Sequence, residues 1–319
     1  MKKILRMIAI GLILTACESD DSLTINQEWI QISNWGQENL VKCIAVEGET
    51  VFVGTADEIY RSTNNGDTWI KLSPYNQTPN LNGLFRIHIK NLVLFGGEPV
   101  EGFITSVDNG NTWNKVPNSI PETETVNSIA SNSNFIFIGT RGSGVLRSGD
   151  NGESWESVFQ TNPIGESVWN IEVDSNNVLI YVYGKGLFLS TDNGMNWKNI
   201  TGNIDFQHGS GTIYIKGQTI FFGTDKFYKS NDQGASWQEI KAIENGIEAT
   251  ASVTSIISNN DIIYASTGAG VFYTTNNGEV WTKLPNRNEF FDPLFRLASN
   301  DKFIFGVDNY NVHRISKVK

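Results

Sequence analysis

The sequence predicts an all-β fold: a seven-bladed β-propeller of four-stranded antiparallel blades, closed by an N-terminal strand that completes the last blade. Three observations carry this reading. An eight-residue motif recurs six times, its terminal tryptophans (Trp69, Trp113, Trp155, Trp197, Trp237 and Trp281) spaced by 40 to 44 residues, the length of one four-stranded blade. Every copy sits in the same succession of short, β-rich apolar runs. One tryptophan-led segment, Trp29-Ile30-Gln31-Ile32, is left over at the start, while the chain after Trp281 holds only three further strands.

The recurring motif reads Ser62-Thr63-Asn64-Asn65-Gly66-Asp67-Thr68-Trp69 and returns at 106–113, 148–155, 190–197, 230–237 and 274–281. It resembles the Asp box, or BNR repeat, in which a serine, an aspartate, a glycine and a tryptophan stand at fixed offsets. Position three is Asp108, Asp150, Asp192 and Asp232 in four copies and Asn64 and Asn276 in two. Asp and Asn close tight turns by accepting hydrogen bonds from backbone amides two residues on. Glycine supplies a positive φ without steric cost, and the tryptophan, burying about 150–250 Å², ties the hairpin to the sheet. Turn chemistry explains the whole motif, so these carboxylates are read as structural and not as catalytic acids.

Around each motif the order is constant. An opening strand, such as Val126-Asn127-Ser128-Ile129-Ala130, is followed by a run ending in Gly-Thr, such as Phe135-Ile136-Phe137-Ile138-Gly139-Thr140. A third run, Val145-Leu146-Arg147, leads into the motif, and its tryptophan opens an alternating fourth strand, Trp155-Glu156-Ser157-Val158. The 29–32 segment matches these fourth strands. Placed beside the last three runs (294–298, 303–305, 312–315), it makes seven complete units and leaves no free edge at the seam.

Residues 1–16 read as a signal peptide: Lys2, Lys3 and Arg6 precede an apolar run at 7–14 too short to span a bilayer. Leu14-Thr15-Ala16-Cys17 resembles a bacterial lipobox, which implies cleavage before Cys17 and acylation of its thiol and of the new amino terminus with chains such as palmitate. Each buried CH₂ contributes about 0.8 kcal/mol, so two or three chains hold a protein on membrane lipid without a spanning helix. Residues 17–26 form an acidic tether, and Glu18-Ser19-Asp20-Asp21 resembles the export signal of surface lipoproteins in some Gram-negative bacteria. The expected address is the cell envelope, at the outer membrane. The propeller itself occupies 27–319.

The chain carries 24 Lys and Arg against 34 Asp and Glu. Without the three leader cations the mature net charge is -13, which excludes a nucleic-acid binder that relies on clustered Lys and Arg. Two cysteines cannot form a disulfide framework, and His88, His208 and His313 show no metal spacing, so no metal or cofactor is expected. Cys43, in an apolar strand, reads as a small buried hydrophobe.

Propeller ligands usually meet the loops around one channel mouth, here those entering each opening strand and those between second and third strands. Aligned against one another, the opening strands carry Cys43, Ser128, Asn170, Thr212 and Ser255 at position three in five blades, but Arg86 and Arg296 in the second and seventh. Arg86, Arg296, Arg141 and Arg287 are the candidate clamp for a ligand carboxylate or sulfate. The alternative is that they pair with Glu98, Glu101 or Asp292 and hold loops together. Trp169 and Trp35 are candidate stacking residues for a sugar or anchors for a protein.

Two resemblances bear on function. Phe85-Arg86-Ile87-His88 resembles the Phe-Arg-Ile-Pro arginine motif of sialidases, which implies a glycosidase with its site at the channel mouth. His88 replaces the proline, however, and the sialidase propeller has six blades. Inverting glycosidases with paired propellers carry the same box, but this chain has room for one. In size, blade number and box pattern, residues 27–319 are similar to the photosystem II assembly and stability factors, which implies a non-enzymatic disc that docks a protein or glycan partner.

Overall fold

The computed structural model describes residues 28–35, 39–72, 84–98, 102–116, 124–161, 166–204, 211–240, 252–285 and 294–318. The leader, Cys17 and the tether lie outside them, and so do Arg287, Glu101, Asp292 and His208.

Twenty-eight strands form seven antiparallel four-stranded sheets among these residues. Blades 1 to 6 span 41–72, 86–115, 126–159, 168–199, 212–239 and 253–283, each with its strands in sequence order. Blade 7 takes Arg296–Ser299, Phe303–Val307 and Val312–Ser316 from the end of the chain and Ile30–Gln31 from its beginning. The closing register pairs Ile30 with Arg314 and Gln31 with His313, as the leftover tryptophan segment predicts. The first strands pack on one another around the axis, and Arg296–Ser299 meets Val41–Glu47 to complete the circle.

Second strands sit in mid-sheet and are covered on both faces by neighbouring blades, so they read as continuous apolar runs. Phe95, Phe137, Phe221, Phe222 and Phe305 come from these strands and are fully buried. Each such ring contributes about 1.5–3 kcal/mol of burial. The clusters cross blade boundaries: Phe52, Ile59 and Leu72 of blade 1 pack with Leu94, Ile104 and Trp113 of blade 2.

The box turns work differently in detail from the expectation. Asp108 Oδ1 accepts from the backbone N–H of Thr112, four residues on and not two, at 2.8 Å, and Oδ2 from the Thr112 hydroxyl at 2.6 Å. The glycine amide is taken by the serine: Gly110 N–H donates to Ser106 Oγ at 2.9 Å. The residue before each glycine is also left-handed, with φ of 53–58° at Asn65, Asn109, Asn151, Asn193, Gln233 and Asn277, which explains the asparagines there. The tryptophans reach beyond their own hairpins: Trp197 and Trp237 donate to Val158 O (2.9 Å) and Ile200 O (2.8 Å) of the preceding blade.

The boxes share one face with the hairpins between first and second strands, as the bond from Asn65 N–H to Glu49 O at 2.8 Å shows. The opposite face gathers the chain entering each first strand and the turns between second and third strands, linked by Arg141 N–H to Thr125 O (3.1 Å) and Tyr183 N–H to Ser167 O (2.9 Å). This second face carries the channel mouth.

Candidate functional site: the channel mouth

The backbone itself shapes the mouth. In blades 1, 3, 4 and 6 the ladder between first and second strands slips by one residue, between Val41 and Cys43, Val126 and Ser128, Val168 and Asn170, and Val253 and Ser255. Lys42, Asn127, Trp169 and Thr254 are therefore bulged out of the pairing at the rim, a device that re-aims side chains at sites.

Inside the rim is a cavity of about 770 Å³ to which all seven blades contribute. Its lining includes Cys43, Arg86, Asn127, Ser128, Trp169, Asn170, Glu172, Asp225, Thr254, Phe295 and Arg296. Polar side chains stitch adjacent blades there: Asn127 Nδ2 donates to Val168 O at 3.2 Å, and Thr254 Oγ1 to Leu294 O at 3.0 Å.

The two arginines use one edge of the guanidinium for this stitching. Arg86 Nε donates to Asn127 O and its Nη1 to Phe85 O at 2.7 Å, while Arg296 Nε donates to Lys42 O at 3.2 Å. Among the described residues no carboxylate pairs with either; Glu101, Asp292 and the side chain of Glu98 lie outside them. Burial, with Arg296 adding repulsion, pulls Arg86 down to about 9, and burial lowers Arg296 as well. Two mutually repelling cations thus flank Cys43 with hydrogen-bonding capacity to spare. Cys43 is buried and inert: its thiol donates to Leu84 O at 3.2 Å, and burial raises it to about 11 against the opposing pull of both arginines.

Trp169 lines the cavity, 40% exposed, with its ring 5.8 Å from that of Tyr183. Phe85 is 37% exposed on the same rim, under the ammonium of Lys42 at 5.5 Å. Arg141 is exposed on the mouth face, in the second-to-third turn of blade 3, without lining the cavity. Trp35 is elsewhere: it stacks on Tyr60 at 4.3 Å and meets Trp69 edge-on at 5.2 Å, packing between blades 7 and 1. Of the six candidates, then, Arg86, Arg296 and Trp169 converge, and Arg287 lies outside the described residues.

Sequence reasoning missed Glu172. At the fifth position of the opening strands stand Ala45, His88, Ala130, Tyr214, Ile257 and Ala298, so extending the alignment by two residues exposes a single carboxylate. Glu172 lies inside the channel, and burial raises its carboxyl to about 8. The other acid in the lining, Asp225, accepts from Thr224 Oγ1 at 2.9 Å. His88 packs between blades, 2.8 Å from Ser131 Oγ, and burial lowers it to about 4. Among the described residues no three His, Cys, Asp or Glu side chains gather where a metal would sit.

Comparison with known proteins yields the class. The DUF6242 beta propeller domain matches residues 87–207, somewhat over a third of the chain. No curated protein matches the sequence. Among solved structures, YCF48 from Cyanidioschyzon merolae superposes with a TM-score of 0.68 at 12% identity, over 91% of this chain and 98% of that one. YCF48 has also been solved bound to a D1 peptide, with a TM-score of 0.69, 10% identity and 92% and 96% coverage. The GH74 xyloglucanase from Xanthomonas campestris has a TM-score of 0.66 and 15% identity over 90% of this chain, which spans 53% of the enzyme's length. At these identities the likeness shows the fold alone, a β-propeller.

Proposed function

We propose that this protein is a non-enzymatic binding module, held on membrane lipid through acylated Cys17, that docks an anionic protein or glycan at its channel mouth. The observation that carries the proposal is the Arg86–Arg296 pair. Two desolvated cations with no carboxylate partner among the described residues are costly unless an anion supplies one, and arginine forks suit carboxylates and sulfates. An aromatic rim of Trp169 and Phe85 supplies the apolar contact that a peptide or sugar ring needs. The arginine pair stands out in a chain of strongly negative charge and so orients an anionic partner toward the cavity. YCF48, similar in fold over nearly its whole length, is known with a peptide bound, which supports a docking role for this architecture.

A second reading, a sialidase-like glycoside hydrolase, has one observation in its favour: a carboxyl with a raised pKa, Glu172, is the kind of group that serves as a general acid. Against it, no tyrosine lines the cavity to act as a nucleophile among the described residues, and Asp225 is engaged by Thr224.

The test is capture from the native membranes with residues 22–319, comparing wild type with Arg86→Gln/Arg296→Gln. Retention of one component by the wild type and its loss from the double variant is expected. Turnover of a fluorogenic sialoside, abolished by Arg86→Ala, overturns the proposal in favour of the hydrolase.

A further inference from the structure

The channel has a second polar compartment toward the Asp-box face. A cleft of about 360 Å³ is built from the first strands of blades 4, 5 and 6. Glu172, Asp174, Tyr214 and Ser258 supply its polar groups, and Ile215 and Ile256 are among its apolar walls. Two of these groups lack the partners their burial calls for. Tyr214 is only 6% exposed, yet its hydroxyl makes no hydrogen bond of ordinary geometry, although Ser258 is beside it. Glu172 has no hydrogen-bond or ion-pair partner among the described residues, and burial alone displaces its titration upward. Glu172, Asp174 and Tyr214 line this one cleft, where Asp174 Oδ2 also accepts from Gly217 N–H at 2.5 Å, and burial, with the charges of Glu172 and Asp174 adding to it, pushes the Tyr214 phenol up to about 12. The one cation in the lining, Lys216, is spent at the exposed rim on Asn260 O (2.8 Å) and Asp261 Oδ1 (3.2 Å).

We propose that this cleft binds a primary alkylammonium, with Glu172, Asp174 and the Tyr214 oxygen accepting its three N–H bonds and the isoleucines enclosing its methylenes. A buried hydroxyl short of a well-formed hydrogen bond and a buried carboxyl with no partner among the described residues both gain from one arriving donor. A bound cation also restores Glu172 to its ionised form. A divalent metal fits less well, since hard cations require six or more oxygens and no three acidic or imidazole side chains converge here among the described residues. The cleft shares Glu172 with the arginine mouth but holds neither arginine, and the proposal does not depend on the docking role given to that mouth.

The experiment is calorimetric titration of the full chain with n-pentylamine, Nα-acetyl-lysine methylamide, n-pentanol and calcium chloride. The amine binds and the alcohol does not. Glu172→Gln weakens amine binding at least tenfold and Tyr214→Phe several-fold, while Lys198→Gln, exposed on the outer strand of blade 4, leaves it unchanged. Binding of the lysine derivative as tightly as n-pentylamine assigns the site to a protein side chain, and n-pentylamine alone assigns it to a small amine. Equal binding of n-pentanol, uptake of calcium in place of the amine, or unchanged affinity in Glu172→Gln overturns the proposal. Tyr214→Phe keeps the buried ring, so its loss of affinity is read in a folded protein.

Discussion

The indole N–H of Trp69 donates to the carbonyl oxygen of Ile32 at 2.6 Å. The first box of the ring is therefore anchored on the segment that completes the last blade. Gly66 of the same box packs so closely on the Ile32 side chain that a Cβ there would collide with it. Beneath this contact Val312 N–H donates to Ser33 Oγ at 2.7 Å, Ile32 N–H to Val312 O at 2.9 Å, and the buried His313 ring to Asp308 at 2.8 Å. Closure is thus made by backbone pairing, side-chain hydrogen bonds and packing together.

The seam is expected to be a point of weakness when disturbed. Trp29 is nine-tenths buried against Leu284, Leu297 and Ile315, so Trp29→Ala costs about 3–5 kcal/mol. Ser33→Ala, which leaves the Val312 amide without its acceptor, costs about 1–3 kcal/mol. Urea unfolding followed by tryptophan fluorescence measures both.

Glycine substitutions separate backbone strain from crowding. At Gly234, φ is +81° and a Cβ would lie 2.6 Å from Ile200 Cδ1, whereas at Gly217 φ is +60° and nothing lies within 4 Å. Gly217→Ala is expected to cost about 1 kcal/mol, the left-handed penalty alone. Gly234→Ala adds overpacking and is expected to cost about 2–4 kcal/mol in total. Thermal melts of the pair give the difference directly.

The box aspartates define an acid limb. Hydrogen bonds from Ser154, Asn196 and Ser236 lead those that hold Asp150, Asp192 and Asp232 at about 2, below the ordinary 3.8. The unfolded chain binds more protons between those values, so stability from these groups is complete above about pH 4 and falls as pH drops toward 2. Asn64 accepts the same bonds, from Ser62 Oγ and Thr68 N–H at 2.9 Å each, without titrating. The triple variant Asp150→Asn/Asp192→Asn/Asp232→Asn is expected to flatten the stability profile between pH 4 and 2, measured by urea midpoints at each pH.

The repeats made the fold legible because each position of the motif has a turn or packing requirement that only a few residue types meet. The closing strand was legible for the same reason: Trp29 repeats the pattern of the fourth strands. The arginines showed through as departures from a register otherwise filled by small polar residues. Three-dimensional convergence was not legible. Trp35 and Trp169 both precede or open a first strand, yet one packs on Tyr60 between blades and the other is bulged onto the rim, a distinction set by the register slip after Val168. Glu172 escaped notice because a single carboxylate in an alternating strand looks like a solvent-facing residue until the ring closes around it.

Buried arginines with no carboxylate partner among the described residues trade stability for binding at a site. Replacing one cation of the pair relieves the repulsion on the other, so Arg296→Gln is expected to raise stability by about 1 kcal/mol, with the gain read as a higher urea midpoint at pH 7.

Whether Arg86 and Arg296 form an anion site is decided by equilibrium binding of two carboxylate probes, N-acetylneuraminate and a short peptide with a free C-terminus, each beside its methyl ester or amide. At least one free carboxylate is expected to bind the wild type, to lose tenfold or more (about 1.4 kcal/mol) in Arg86→Gln and in Arg296→Gln, and to lose as much when blocked. Equal binding of free and blocked probes, or equal affinity in wild type and both variants, refutes the anion site and the docking role built on it.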